Sequence, residues 1–168
     1  SSWQEILRLT QPFIRQHAAS RQLSLFLSNI LTHSATASFN LARYENCLRD
    51  ADLALSDTVK LIKLADSILA DGDGKQQDQQ ALRSCQERKA YLLGLRGNAM
   101  AEVGSLGEAY IALRAACVLE RTLGLKSSNP QSPCTSLEKL LIVMAKRKMG
   151  QRMLPLLLPT CLDVKCAG

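Results

Sequence analysis

Apolar residues recur at three- and four-residue intervals through most of the chain, the spacing of one face of an α-helix. Trp3, Ile6, Leu7, Phe13 and Ile14 make the first such stripe, with Pro12 placed to end or kink it. Leu23, Phe26, Leu27, Ile30 and Leu31 open a second stretch that runs toward Leu41. Between Tyr44 and Ala70 there is neither Gly nor Pro, and Leu48, Ala51, Leu55, Val59, Ile62, Ala65 and Leu69 repeat at helical spacing. One long helix is predicted there, about 40 Å at 1.5 Å per residue, and Asp71-Gly72-Asp73-Gly74 stops it. After a polar tip at Lys75 to Gln80, helices are predicted from about Ala81 to Val103, closed by Gly104, and from about Leu106 to Leu123, closed by Gly124. Lys126 to Thr135, with Pro130 and Pro133, reads as a loop. Thr135 or Ser136 then caps a last helix through Met149, and Pro155 and Pro159 break regular structure beyond Gly150.

Composition narrows the fold class. Hydrophobic residues are 46% and charged residues 21% of 168, which suits one globular domain over 1–168. Aromatics are only 4%, with Gly 9 and Pro 5, too few for the β-rich core and the many tight turns of a sandwich or barrel. The prediction is an all-α chain whose core is Leu, Ala, Ile and Val. No apolar run reaches the length of a membrane span, so a soluble chain is expected. Ser1-Ser2-Trp3 shows no signal-peptide pattern and reads as the start of a fragment.

Two segments repeat one another. Ala35, Tyr44, Cys47, Ala51 and Ala54 in the first align with Gly97, Leu106, Ala109, Leu113 and Ala116 in the second. From Ala35 to Cys47 and from Gly97 to Ala109 the offset is 12 residues, and from Cys47 to Ala54 and from Ala109 to Ala116 it is 7. Antiparallel helices approach closely only where small side chains meet, so a fixed offset of small residues across a turn marks a helix crossing.

In this register the sequence resembles the tetratricopeptide repeat family, a helix-turn-helix motif of 34 residues. One unit is 28–61 and the other 90–123, with Leu31 and Leu93 where the family usually carries Trp. The resemblance implies antiparallel helix-turn-helix repeats stacked as a short right-handed α-solenoid. The second unit starts 62 residues after the first, so the additional residues should extend the helices around the Asp71 to Gln80 tip. A degenerate unit at about 136–162 is expected to act as a C-terminal capping helix, which a solenoid needs over its last apolar face.

The same resemblance implies a groove lined by the first helix of each unit. Carried over, its residues are Asn29, Thr32, His33, Thr36, Phe39 and Asn40 from one unit. Tyr91, Gly94, Leu95, Asn98, Ala101 and Glu102 come from the other. Co-chaperone members use a Lys, Asn and Arg clamp for an acidic carboxylate tail. Here His33, Tyr91 and Leu95 occupy clamp positions, while Lys89 and Arg96 fall one residue out of register, so the clamp is not carried over. The expected function is a noncatalytic module that binds a peptide or helix of another protein, within a scaffold or co-chaperone. The alternatives are a self-association domain forming a homodimer through long helices and the Leu154 to Leu162 tail, or a basic surface for nucleic acid or anionic lipid.

Charge and chemistry add little to this. The net charge of +6 is concentrated at Lys139 and in a basic patch of Lys146, Arg147, Lys148 and Arg152, without the interleaved aromatics of a single-strand binder, so nucleic acid is disfavoured. His17 and His33 lack neighbouring ligands, and Cys161 and Cys166 make at most half a zinc motif, so no metal and no cofactor is expected. Asp71-Gly72-Asp73-Gly74-Lys75 fails as a calcium loop, because Lys75 stands at a ligand position and Leu82 at the closing one. Leu95-Arg96-Gly97-Asn98 is no phosphate loop, and no spacing pairs a Cys nucleophile with a His base, so no enzyme is expected. The six cysteines show no CxxC and are expected to be free thiols in a reducing, cytoplasmic setting, with the nucleus left open.

Overall fold

The computed structural model describes residues 21–70, 76–125 and 132–147. These form five helices, α1 (Arg21–Asn40), α2 (Tyr44–Ala70), α3 (Gln76–Glu102), α4 (Leu106–Thr122) and α5 (Pro133–Lys146), and no strand occurs among the described residues. The Trp3 stripe, the Asp71 to Lys75 tip and the tail beyond Arg147 lie outside them.

Two helix starts differ from the sequence expectation. α3 begins at Gln76 and not near Ala81, so most of the polar tip is helical. Gln is an adequate helix former, and Asp78 in the first turn suits the positive end of the helix dipole. α5 begins at Pro133, with Ser132 as its cap in place of Thr135 or Ser136, and the Ser132 side chain accepts from the Thr135 N–H. Proline fits the first helical position because its fixed φ suits the helix and its missing N–H would have had no helical partner.

Three helix ends share one turn geometry. After α3, Gly104 (φ +87°) donates to Ala101 O and Ser105 donates to Met100 O. After α4, Gly124 (φ +64°) donates to Arg121 O and Leu125 to Glu120 O. After α1 the same pair of bonds runs from Ala42 to Phe39 O and from Arg43 to Ser38 O, but here a residue with a Cβ holds φ +55°. This is the Schellman arrangement, in which a left-handed residue lets two N–H groups satisfy the last carbonyls. Phe39 and Tyr44 meet edge to face across the α1–α2 turn, 5.7 Å between centroids.

Contacts between helices give their directions. Ser34 Oγ donates to Asp50 Oδ2 while Ser28 pairs with Thr58, so α1 and α2 are antiparallel. Arg96 on α3 reaches Asp52 on α2 at 2.7 Å, Gly97 on α3 packs on Leu113 of α4, and Cys117 of α4 is bonded to Cys134 of α5. α1 and α5 both touch α3, and Leu48 of α2 packs against the cluster that α4 shares with Met100 of α3. Consecutive helices therefore pack side by side, and α3 also meets α1 and α5.

The core follows the small-residue spacing. Ala35, Cys47, Ala51 and Ala54 are fully buried with Leu31, Leu92, Leu95 and Ala99 in one cluster. Leu106, Ala109, Tyr110 and Leu113 form a second with Met100, and α5 adds Leu140 and Met144. At Gly97 a Cβ would stand 2.6 Å from Leu113 Cγ and 3.1 Å from the Leu113 backbone N, so only glycine permits this approach. A polar chain links α2, α1 and α3. Thr58 Oγ1 donates its one proton to Ala54 O (2.7 Å), so Ser28 Oγ donates to Thr58 (2.9 Å), and Arg88 of α3 donates to Ser28 (3.4 Å).

Candidate functional site: a groove between α1, α3 and α5

A cavity of about 690 Å3 opens among α1, α3 and α5, with α4 adding Leu106, Leu113 and Glu120 to its lining, within the range of small-ligand and peptide-side-chain pockets. α3 supplies its floor, with Ala90, Tyr91, Gly94, Leu95, Asn98, Ala101 and Glu102 along the lining. Thr36, Phe39 and Asn40 of α1 form one wall. Pro133, Ser136, Lys139, Leu140, Val143 and Arg147 of α5 form the other. α5 lies close to the floor because Gly94 has no side chain, and a Cβ there would stand 2.9 Å from Pro133 Cγ.

Of the groove residues expected from the sequence, Thr36, Phe39 and Asn40 and the full set from Tyr91 to Glu102 border this cavity. Asn29, Thr32 and His33, earlier on α1, do not, and Thr32 Oγ1 is engaged with Ser28 O at 2.6 Å. Leu95 is 8% exposed and belongs to the first core cluster, so it supports the floor more than it offers a contact. Thr36 Oγ1 donates to Thr32 O, which makes the Tyr91 hydroxyl the donor in their 2.8 Å bond and joins wall to floor. Arg96, one position from a clamp site, turns outward to Asp52 on α2. Of the basic patch, Arg147 borders the cavity and Lys146 is exposed in the last turn of α5, while Lys148 and Arg152 lie outside the described residues.

Lys139, Arg147 and Glu102 put charges of both signs along the groove, with Glu87 and Glu120 at the end where Leu125 and Ser132 also line it. Glu120 is the residue the sequence reading missed. It is 8% exposed, and its Oε2 has no hydrogen-bond partner among the described residues. The signal was present in the sequence, because Glu120 sits in the last turn of α4, where the negative end of the helix dipole disfavours a carboxylate.

The cysteine expectation is corrected at the same end. Cys117 and Cys134 form a disulfide with Cα atoms 4.7 Å apart, tying α5 to α4. Their separation of 17 residues carries no motif, and only the packing of α5 on α4 brings them together. Cys47 is a free thiol, Cys47 and Cys85 are both buried, and Cys161 and Cys166 lie outside the described residues. Burial, aided by the Asp50 carboxylate, pushes the Cys47 thiol up from 9.0 to about 11, the opposite of what a nucleophile needs. No group of metal-ligating side chains occurs among the described residues. Nor, among them, is any helix long and apolar enough to cross a membrane.

Comparison with protein-family models, with curated proteins and with solved structures returned no match.

Proposed function

We propose that the chain is a tetratricopeptide-like interaction module, a short right-handed α-solenoid that binds a peptide or helix of a partner protein without turning it over. The observation that carries this reading is the cavity between α1, α3 and α5, bordered by most of the positions that the repeat register assigns to a groove. Its lining mixes apolar surface from Phe39, Leu140 and Val143 with the side-chain donors and acceptors of Asn40, Asn98 and Lys139, as peptide recognition requires. The carboxylate clamp is absent from its positions, which argues for a partner other than an acidic chaperone tail. A cytoplasmic location rested on free thiols, and the Cys117–Cys134 bond removes that support.

The test is amide chemical-shift mapping of the labelled chain with peptides selected on it from a displayed library. Shifts confined to Thr36, Asn40, Tyr91, Asn98 and Ser136 are expected. Shifts on the outer face of α4 would overturn the reading. There Ile111 (68% exposed) and Val118 (53%) favour the second reading, self-association, which a concentration-dependent mass would reveal.

A further inference from the structure

We infer that Glu120 is the anchor of the groove for a cationic side chain, a lysine or arginine carried by the partner segment. The inference rests on the groove reading above and adds what the groove selects. A carboxylate oxygen removed from water without a donor is costly to the folded chain, and a hydrogen-bonded cation is what offsets that cost. Glu120 borders the cavity, is more than nine-tenths buried, and among the described residues no group hydrogen-bonds its Oε2.

The surroundings favour a cation on this side of the groove, while Glu102, Lys139 and Arg147 give the rest of it charges of both signs. Glu87, one helix away on α3, adds a second carboxylate, and Arg83 neutralises it only in part through a 3.1 Å contact on the exposed side. Lys139 and Arg147 lie along the α5 wall, with Arg147 beyond the far end of that helix from Ser132. A segment lying along α3 would therefore place its cation at Glu120 and keep positive charge away from Arg147. The Cys117–Cys134 bond holds α5 to α4 one turn from Glu120, so this end of the groove is pre-set before the partner arrives.

The experiment uses the whole chain and short peptides selected on it from a displayed library, then synthesised singly. Affinities are measured for wild type, for Glu120→Gln, which keeps shape and removes charge, and for Asn98→Trp, which fills the floor elsewhere. The selected peptides are expected to share one Lys or Arg. Changing it to Met should weaken binding about tenfold to a hundredfold. Glu120→Gln should cause the same loss, and the two changes together no further loss. Free Glu120→Gln should melt no lower than wild type. Peptides that lose binding to Asn98→Trp but bind Glu120→Gln as tightly as wild type would overturn the cation anchor and leave the groove standing. A lower melting temperature for Glu120→Gln would also overturn it, since a cation of the chain itself would then already occupy the carboxylate. If no selected peptide is sensitive to Asn98→Trp, the groove reading fails and the anchor falls with it.

Discussion

The pairs α1–α2 and α3–α4 carry the same spacing of small residues and solve the same packing problem with different side chains. In the first, Ala35 faces a neighbourhood that includes Ala51, and both are fully buried. In the second, the corresponding positions are Gly97 and Leu113, and the methyl lost from one helix makes room for the isobutyl group of the other. The first pair also buries the Ser28–Thr58 hydrogen bond, which Arg88 of α3 reaches, and the Asp50 carboxylate, whereas the second closes on apolar side chains and is bound to α5 by a disulfide. What the spacing specifies is thus the summed volume at the crossing, and the chemistry that fills it is free to differ.

The largest expected effect falls on the second pair alone. Replacing Cys117 and Cys134 together by Ser removes a 17-residue cross-link and should cost about 3 kcal/mol. The thermal midpoint should fall by about 6–12 °C, with faster hydrogen exchange in α5 than in α2; no change on adding reductant would refute the bond.

Gly97→Ala should cost about 1–3 kcal/mol by driving a methyl into Leu113, and adding Leu113→Ala should cost less than the sum of the two changes. Denaturant midpoints of the two single variants and the double variant measure this. Strict additivity would mean that Gly97 and Leu113 do not share the crossing.

Thr58→Val leaves Ser28 without its acceptor and should cost about 1–2 kcal/mol, read from the same midpoints. The second pair has no counterpart to lose.

The turns invite exchange. Ala42→Gly should stabilise by about 1 kcal/mol and Gly104→Ala destabilise by about as much, since both positions hold a left-handed φ. Like signs for the two would break the equivalence of the turns.

Last comes an effect that is absent at neutral pH, a pH dependence confined to the first pair. Folding keeps the Cys47 thiol protonated to about 11, whereas the unfolded chain releases the proton near 9.0. The contribution is therefore whole below 9.0 and is lost as pH rises toward 11. Cys47→Ala should flatten that alkaline decline in a pH series of melting curves.

Much of this was readable in one dimension. The α2 bounds, Tyr44 and Ala70, follow from an unbroken helical period between a turn and a Gly-rich stop. Gly104 and Gly124 announce two helix ends, and the repeated offset locates both crossings. Ala42 does not announce the third end, because alanine in a left-handed turn contradicts local preference and is held there by Phe39 O, Ser38 O and the aromatic contact. Ser132 and Pro133 read as loop because proline is a breaker everywhere except at a helix start.

Periodicity and small-residue offsets are properties of neighbours along the chain, so the helices and the small residues at their crossings were already present in the order of residues. The Cys117–Cys134 bond and the outward turn of Arg96 to Asp52 join residues that no local pattern relates, and the unpartnered Oε2 of Glu120 depends on how the groove closes around it. Those were decided by packing, because a disulfide, an ion pair or an orphaned charge depends on where helices far apart in sequence come to rest.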